Sequence, residues 1–146
     1  MERILTIVAL ISLGPLVGIE LGVAVVVRPL AAKLPDSGFR IVRSEGGRWL
    51  GLVMPFWYVG TLAVLVAVAI LSRGPLVIAT VVLMAGAVVL SVAVLVPINN
   101  RVARWTTDAD VDRALAGRWD RFHVLRVAML AVAFALLAIW AGQPAL

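Results

Sequence analysis

The chain contains no cysteine, a single histidine and a single tyrosine, and only 14% of its 146 residues are charged. Without cysteine there are no disulfides, no thiolate metal sites and no cysteine nucleophile, and the redox compartment cannot be read from the sequence. One histidine, His123, excludes a bis-histidine haem or a histidine-rich zinc site. No phosphate-binding loop, no dinucleotide glycine pattern and no H-E-x-x-H occurs. What fills the chain instead is apolar: 63% of the residues are hydrophobic, and the mean hydropathy is +1.09. A soluble domain of this size has too much surface for that composition.

Four apolar stretches of bilayer-spanning length stand out, at about residues 4–27, 50–71, 76–98 and 122–139. They predict an all-α integral membrane four-helix bundle, a single transmembrane domain over residues 1–146. The opening Met1-Glu2-Arg3 followed by apolar residues has the start of a signal peptide, but the run continues to Val27 without a small-residue cleavage pattern, so a retained first span is expected. Ser72-Arg73-Gly74-Pro75 reads as a tight turn joining spans two and three into an antiparallel hairpin. Gly18 and Gly22 form a G-x-x-x-G in the first span, a pattern that lets helices approach closely.

The two remaining segments are basic. Arg28, Lys33, Arg40, Arg43 and Arg48 lie in the first; Arg101, Arg104, Arg113, Arg118 and Arg121 lie in the second; only Arg3 and Arg73 fall on the opposite side. This bias predicts a multi-pass cell-membrane protein with two basic cytoplasmic loops and both termini outside. The net charge of +5 is thereby explained by topology and anionic headgroups, not by nucleic acid, which is excluded as a partner. Arg40 and Arg43 are expected to be solvated loop charges of little energetic value, and Asp120 to be a loop ion pair. A faint repeat, Gly47-Arg48-Trp49 entering span two and Gly117-Arg118-Trp119 entering span four, suggests two halves in the same orientation.

A few polar residues then need a reason to be where they are. Glu20 lies in the first span, roughly 12 Å along the helix from Arg28 at 1.5 Å per residue. Placing a carboxylate there costs about 2.5–3.5 kcal/mol on insertion scales, so it is expected to face the bundle interior with a partner. It reads either as a structural ion pair or protonated acid, or as a ligand, proton carrier or substrate contact. Trp119, His123 and Arg126, at i, i+4 and i+7, share one face of the fourth helix. The bland reading is an interfacial histidine with a belt tryptophan and a snorkelling arginine; Arg126, a further turn in, fits it poorly. Pro97-Ile98-Asn99-Asn100 ends the third span, where Pro97 frees a carbonyl and the asparagines either cap the helix or offer amides to a site; Trp105 follows. Glu20, Asn99, Asn100, His123 and Arg126 thus come from three helices and are expected to converge on the cytoplasmic side.

The segments Val96-Pro97-Ile98-Asn99-Asn100-Arg101 and Trp119-Asp120-Arg121-Phe122-His123-Val124-Leu125-Arg126 resemble the pattern of the anthrone oxygenase-like family of small four-helix membrane proteins. The helix layout is similar throughout, while the motifs cover the second half. The resemblance implies a monooxygenase-type oxidoreductase that converts a methylene of a reduced polycyclic aromatic, such as an anthrone, to a quinone carbonyl with O2. Carried over, the pattern falls on Asn99 or Asn100, Trp119, His123 and Arg126. His123 is then expected as base, Arg126 and Asn100 as oxyanion donors, Trp119 with Asn99 and Trp105 as substrate contacts, and Glu20 as a further catalytic group. A second mechanism uses copper or iron held by His123, Glu20 and Asn100, and the choice between a metal and no cofactor beyond O2 stays open. The expected partners are a small hydrophobic substrate and the lipid bilayer, with a homo-oligomer left open. Two other readings are a small proton-coupled multidrug-type transporter working through Glu20, and a non-catalytic accessory subunit.

Overall fold

The computed structural model describes residues 1–143. It is built from four long helices: α1 (Glu2–Ala32), α2 (Asp36–Ser72), α3 (Pro75–Val102) and α4 (Arg113–Ala141), each long and apolar enough to cross a membrane. Sequence neighbours pack against each other, and α4 closes the ring against α1. Large apolar side chains such as Ile4, Phe56, Ile70, Val82 and Val89 stand exposed on the outside, as they must where the surrounding solvent is lipid. The interior is a column of small and branched residues, among them Leu13, Leu16, Leu65, Met84, Leu130 and Leu137. α3 makes room for α4 at Gly86, where an added Cβ would lie 2.7 Å from Met129 Cε. Gly18 and Gly22, by contrast, have nothing within 4 Å of an added Cβ, so the G-x-x-x-G packs against no helix of the described chain.

Sequence punctuation sets the helix ends. The α2–α3 hairpin turns at Arg73, which takes the left-handed conformation (φ 49°) usually given to glycine, and Pro75 opens α3. The Asp112 side chain caps α4 by accepting from the Leu115 N–H. Between α3 and α4, Asp110 closes a short turn over Asp108–Asp110. Backbone and hydroxyl donors of Thr107 and Thr106 hold its carboxyl at about 2.

The basic segments differ from the expected loops. Most of residues 28–49 and 99–121 extend the helices beyond the apolar spans, leaving only short connections at 33–35 and 103–112. The physical reason is a second, smaller core: Ala31, Phe39, Ile98, Val102, Trp105 and Ala116 pack together at the basic end and give these extensions an apolar face to bury. Ion pairs tie its rim, Arg113 to Asp36 and Arg40 to Asp108. Arg43 is no solvated loop charge either: it lies on α2, 13% exposed, 2.7 Å from the equally buried Asp120.

α1 and α3 each contain one wide π-turn, Val23–Val27 and Ser91–Leu95, ending two residues before Pro29 and Pro97. Proline removes a backbone donor and its ring crowds the carbonyl four residues back, so the helix widens to accommodate it. The same device in the first helix of each half is a structural counterpart to the Gly-Arg-Trp repeat.

Candidate active site

The two π-turns flank a polar cluster inside the largely apolar bundle. Glu20, one turn before the α1 π-turn, is 2% exposed. Its two carboxylate oxygens are both engaged: Arg126 Nη2 donates to Oε2 at 2.7 Å and Tyr58 Oη donates to Oε1 at 2.8 Å. Arg126 reaches back from α4 and also donates through Nη1 to Ser91 Oγ of the α3 π-turn, at 2.9 Å. Its guanidinium lies 5.3 Å from the centre of the Tyr58 ring. All four helices therefore contribute to one site: Glu20 from α1, Tyr58 from α2, Ser91 from α3, and His123 and Arg126 from α4.

His123 is 1% exposed and held through both ring nitrogens. Nε2 lies 3.2 Å from the backbone carbonyl of Glu20. A carbonyl only accepts, so Nε2 carries the proton and neutral His123 keeps its lone pair on Nδ1. Nδ1 sits 3.2 Å from Arg126 Nη2 and 3.2 Å from Glu20 Oε2. The same nitrogen can thus accept from the guanidinium when neutral, or donate to the carboxylate once protonated. Trp119, one turn earlier, stacks on the imidazole at 4.6 Å between ring centres, 14° from parallel.

The cluster forms one wall of a largely apolar cavity of about 340 Å³. Met54, Val88 and Leu95 contribute apolar lining, and Asn99, Asn100 and Trp119 lie toward the basic end. The Asn99 amide also donates to the Gly47 carbonyl at 3.1 Å, where the absent side chain leaves room for it. Several lining residues, Pro55 and Val59 of α2 and Val92 and Val96 of α3, are exposed on the outer surface as well, so the cavity opens between α2 and α3. Arg126 Nε, buried on this cavity-lining side chain, has no hydrogen-bond partner among the described residues.

The structure therefore brings together Glu20, His123 and Arg126, with Asn99, Asn100 and Trp119 around the same cavity. Trp105 does not join them. It is buried against Phe39, with ring centres 6.4 Å apart, in the second core, because α3 ends before it and the chain turns back under the bundle. Sequence reasoning missed Tyr58 and Ser91. Tyr58 is the chain's single tyrosine, and it sits in the interior of a span, a signal that a buried hydroxyl needs a partner.

The donor set does not fit a resident copper or iron. The Glu20 oxygens face a guanidinium and a phenol, and His123 Nδ1 is shared with that same guanidinium. A cation already occupies the position a metal would need. Among the described residues no three His, Cys, Asp or Glu side chains gather as ligands.

Residues 49–136 match the family described as anthrone oxygenase. No curated protein and no solved structure matches the chain. The matched stretch, more than half of the chain, contains Tyr58, Ser91, Asn99, Asn100, Trp119, His123 and Arg126, while Glu20 lies before it.

Proposed function

The chain belongs to the anthrone oxygenase family, and from that premise we propose a membrane-embedded oxygenase that oxidises the ring methylene of a reduced polycyclic aromatic ketone to a carbonyl with O2, at the basic end of the bundle, which the charge asymmetry assigns to the cytoplasmic side. The observation that carries this reading is Arg126: a guanidinium paired with Glu20 through Nη2 that also lines an apolar cavity. A cationic side chain in an apolar lining favours a ligand that is apolar in its body and carries an oxygen acceptor.

The chemistry follows from the substrate class. A methylene between two aryl rings and conjugated to a ketone is acidic, because its conjugate base places negative charge on the ketone oxygen. Arg126 and the amides of Asn99 and Asn100 stabilise that oxyanion. His123 accepts the proton at Nδ1, and Glu20 Oε2, 3.2 Å away, stabilises the imidazolium so formed. The carbanion then transfers electrons to O2, a C–O bond forms, and protonation gives a hydroperoxide. Loss of the remaining methine proton with cleavage of the O–O bond yields the carbonyl and water, so one CH2 and one O2 become one C=O and one H2O. The mouth between α2 and α3 admits such a substrate from the bilayer, where it partitions.

A transporter working through Glu20 is disfavoured by the same geometry. Both Glu20 carboxylate oxygens are engaged by Arg126 and Tyr58, which leaves neither free for a cationic substrate.

The test is O2 uptake and quinone formation from anthrone by the protein in lipid nanodiscs, against a protein-free control for autoxidation. We expect one O2 consumed per quinone formed, with the enhancement lost in Arg126→Gln and His123→Ala. Quinone formation no faster than the control, or unchanged in both variants, refutes the reading.

A further inference from the structure

A second cavity, of about 370 Å³, lies at the basic end between α1, α2 and α4. Five of its ten lining residues are small or imino residues, Ala24, Pro29, Ala32, Ala116 and Gly117, so the space is written into the sequence. Its charged lining is three guanidiniums, Arg28, Arg43 and Arg113, against one carboxylate, Asp120. Asp120 Oδ2 is shared by two of them, Arg43 Nη2 at 2.7 Å and Arg28 Nε at 3.4 Å. Arg113 is neutralised from outside by Asp36, at 2.7 Å. Two carboxylates against three guanidiniums leave one positive charge uncompensated.

The hydrogen-bond inventory has the same imbalance. Arg43 Nε is buried without a partner among the described residues, and so is Asp120 Oδ1. Buried polar atoms are almost always paired, and these two are complementary: one must donate and the other must accept. They do not satisfy each other, and a hydroxyl can accept from the one and donate to the other, while the uncompensated positive charge favours an oxyanion beside it. Arg28 is the first charged residue after the apolar run of α1 and is 44% exposed, which sets the cavity at headgroup depth.

We propose that this cavity binds a hydroxyl-bearing phosphate ester, its oxyanion on Arg28 and Arg43 and its hydroxyl on Asp120. A glycerol-type phospholipid headgroup has this chemistry and is present at this depth; free glycerol phosphate shares it from the aqueous side. Basic pockets between membrane helices are suited to such headgroups. Arg28, Arg43 and Ala116 line the oxygenase cavity as well, so the two spaces adjoin, but the proposal does not depend on the reading given to that cavity.

The experiment is thermal unfolding of the protein in neutral detergent, with phosphatidylglycerol, phosphatidylcholine or soluble glycerol phosphate added. Saturating phosphatidylglycerol raises the Tm by about 5 °C, as a ligand specific for the folded state does, and phosphatidylcholine leaves it unchanged. A rise with glycerol phosphate as well supports the same site and identifies the ester, not the acyl chains, as what is recognised. Two variants locate the effect. Arg28→Gln removes the exposed guanidinium and leaves the Arg43–Asp120 pair in place. Gly117→Leu fills the cavity without changing charge, since nothing lies within 4 Å of an added Cβ there. Both abolish the rise, while Arg73→Gln, at the other end of the bundle, keeps it. A rise that survives Arg28→Gln and Gly117→Leu, or one equally large with phosphatidylcholine, overturns the proposal.

Discussion

Arg126→Gln strands the Glu20 carboxylate, 2% exposed, without its counter-ion. Removing one partner of a buried pair costs about 3–5 kcal/mol, because the charge left behind has lost its hydration and its attraction together. Tyr58 still donates to Oε1 and offsets about 1 kcal/mol of that. Glu20→Gln is damaging for the mirrored reason: Arg126 keeps Ser91 and His123 but loses the only carboxylate within reach of its Nη2 among the described residues. Each single variant should therefore melt about 10 °C below the parent at the few degrees per kcal/mol expected of a chain this size. The double variant contains neither charge, so its loss should be close to that of one single variant instead of their sum, a coupling of about 3 kcal/mol. Circular dichroism melts of the four proteins in one detergent supply the cycle. Losses that add, or single variants that melt with the parent, would show that the pair is not the keystone of the site. Oxygenase activity gives an independent reading of the same cycle: groups acting as a unit leave the double variant no worse than either single.

The two arginines of α2 should separate cleanly. Arg43→Gln leaves buried Asp120 with only the half-exposed Arg28, 3.4 Å away, and should lower the Tm by several degrees, whereas Arg40→Gln breaks only a rim pair with half-exposed Asp108, worth about 0–1 kcal/mol; thermal melts of both variants check this. Tyr58→Phe removes one neutral donor to Glu20 and should preserve the fold at a cost of about 1 kcal/mol while lowering turnover about tenfold or more; a variant with parental turnover would make Tyr58 a structural group only. For the proposed topology, single cysteines placed at Asp36, Gly74 and Asp110 should react with an impermeant maleimide in intact cells only at Gly74, and the reverse pattern would invert the orientation.

Sequence by itself determined the spans, the hairpin and the residues worth watching. Bilayer length and hydropathy leave few alternatives for four apolar runs, and Glu20, His123 and Arg126 announce themselves because a charged or titratable group in such a run is costly without a partner. Periodicity also placed His123 and Arg126 on one face, since that relation lies within a single helix. Which groups meet across helices was not legible. Glu20 and Arg126 are 106 positions apart, and their contact depends on the axial offset of α1 and α4, which only the packing of the bundle sets. Tyr58 and Ser91 were invisible for the same reason: each is ordinary within its own helix and becomes part of the site only through a neighbour. At the basic end, charge density suggested loops, but Phe39 and Trp105 supply a small core that keeps the chain helical and turns Arg43 inward onto Asp120. Local sequence fixes what each helix can offer, while the partner of a buried polar group is decided by tertiary packing, because burial and distance are properties of the assembled bundle.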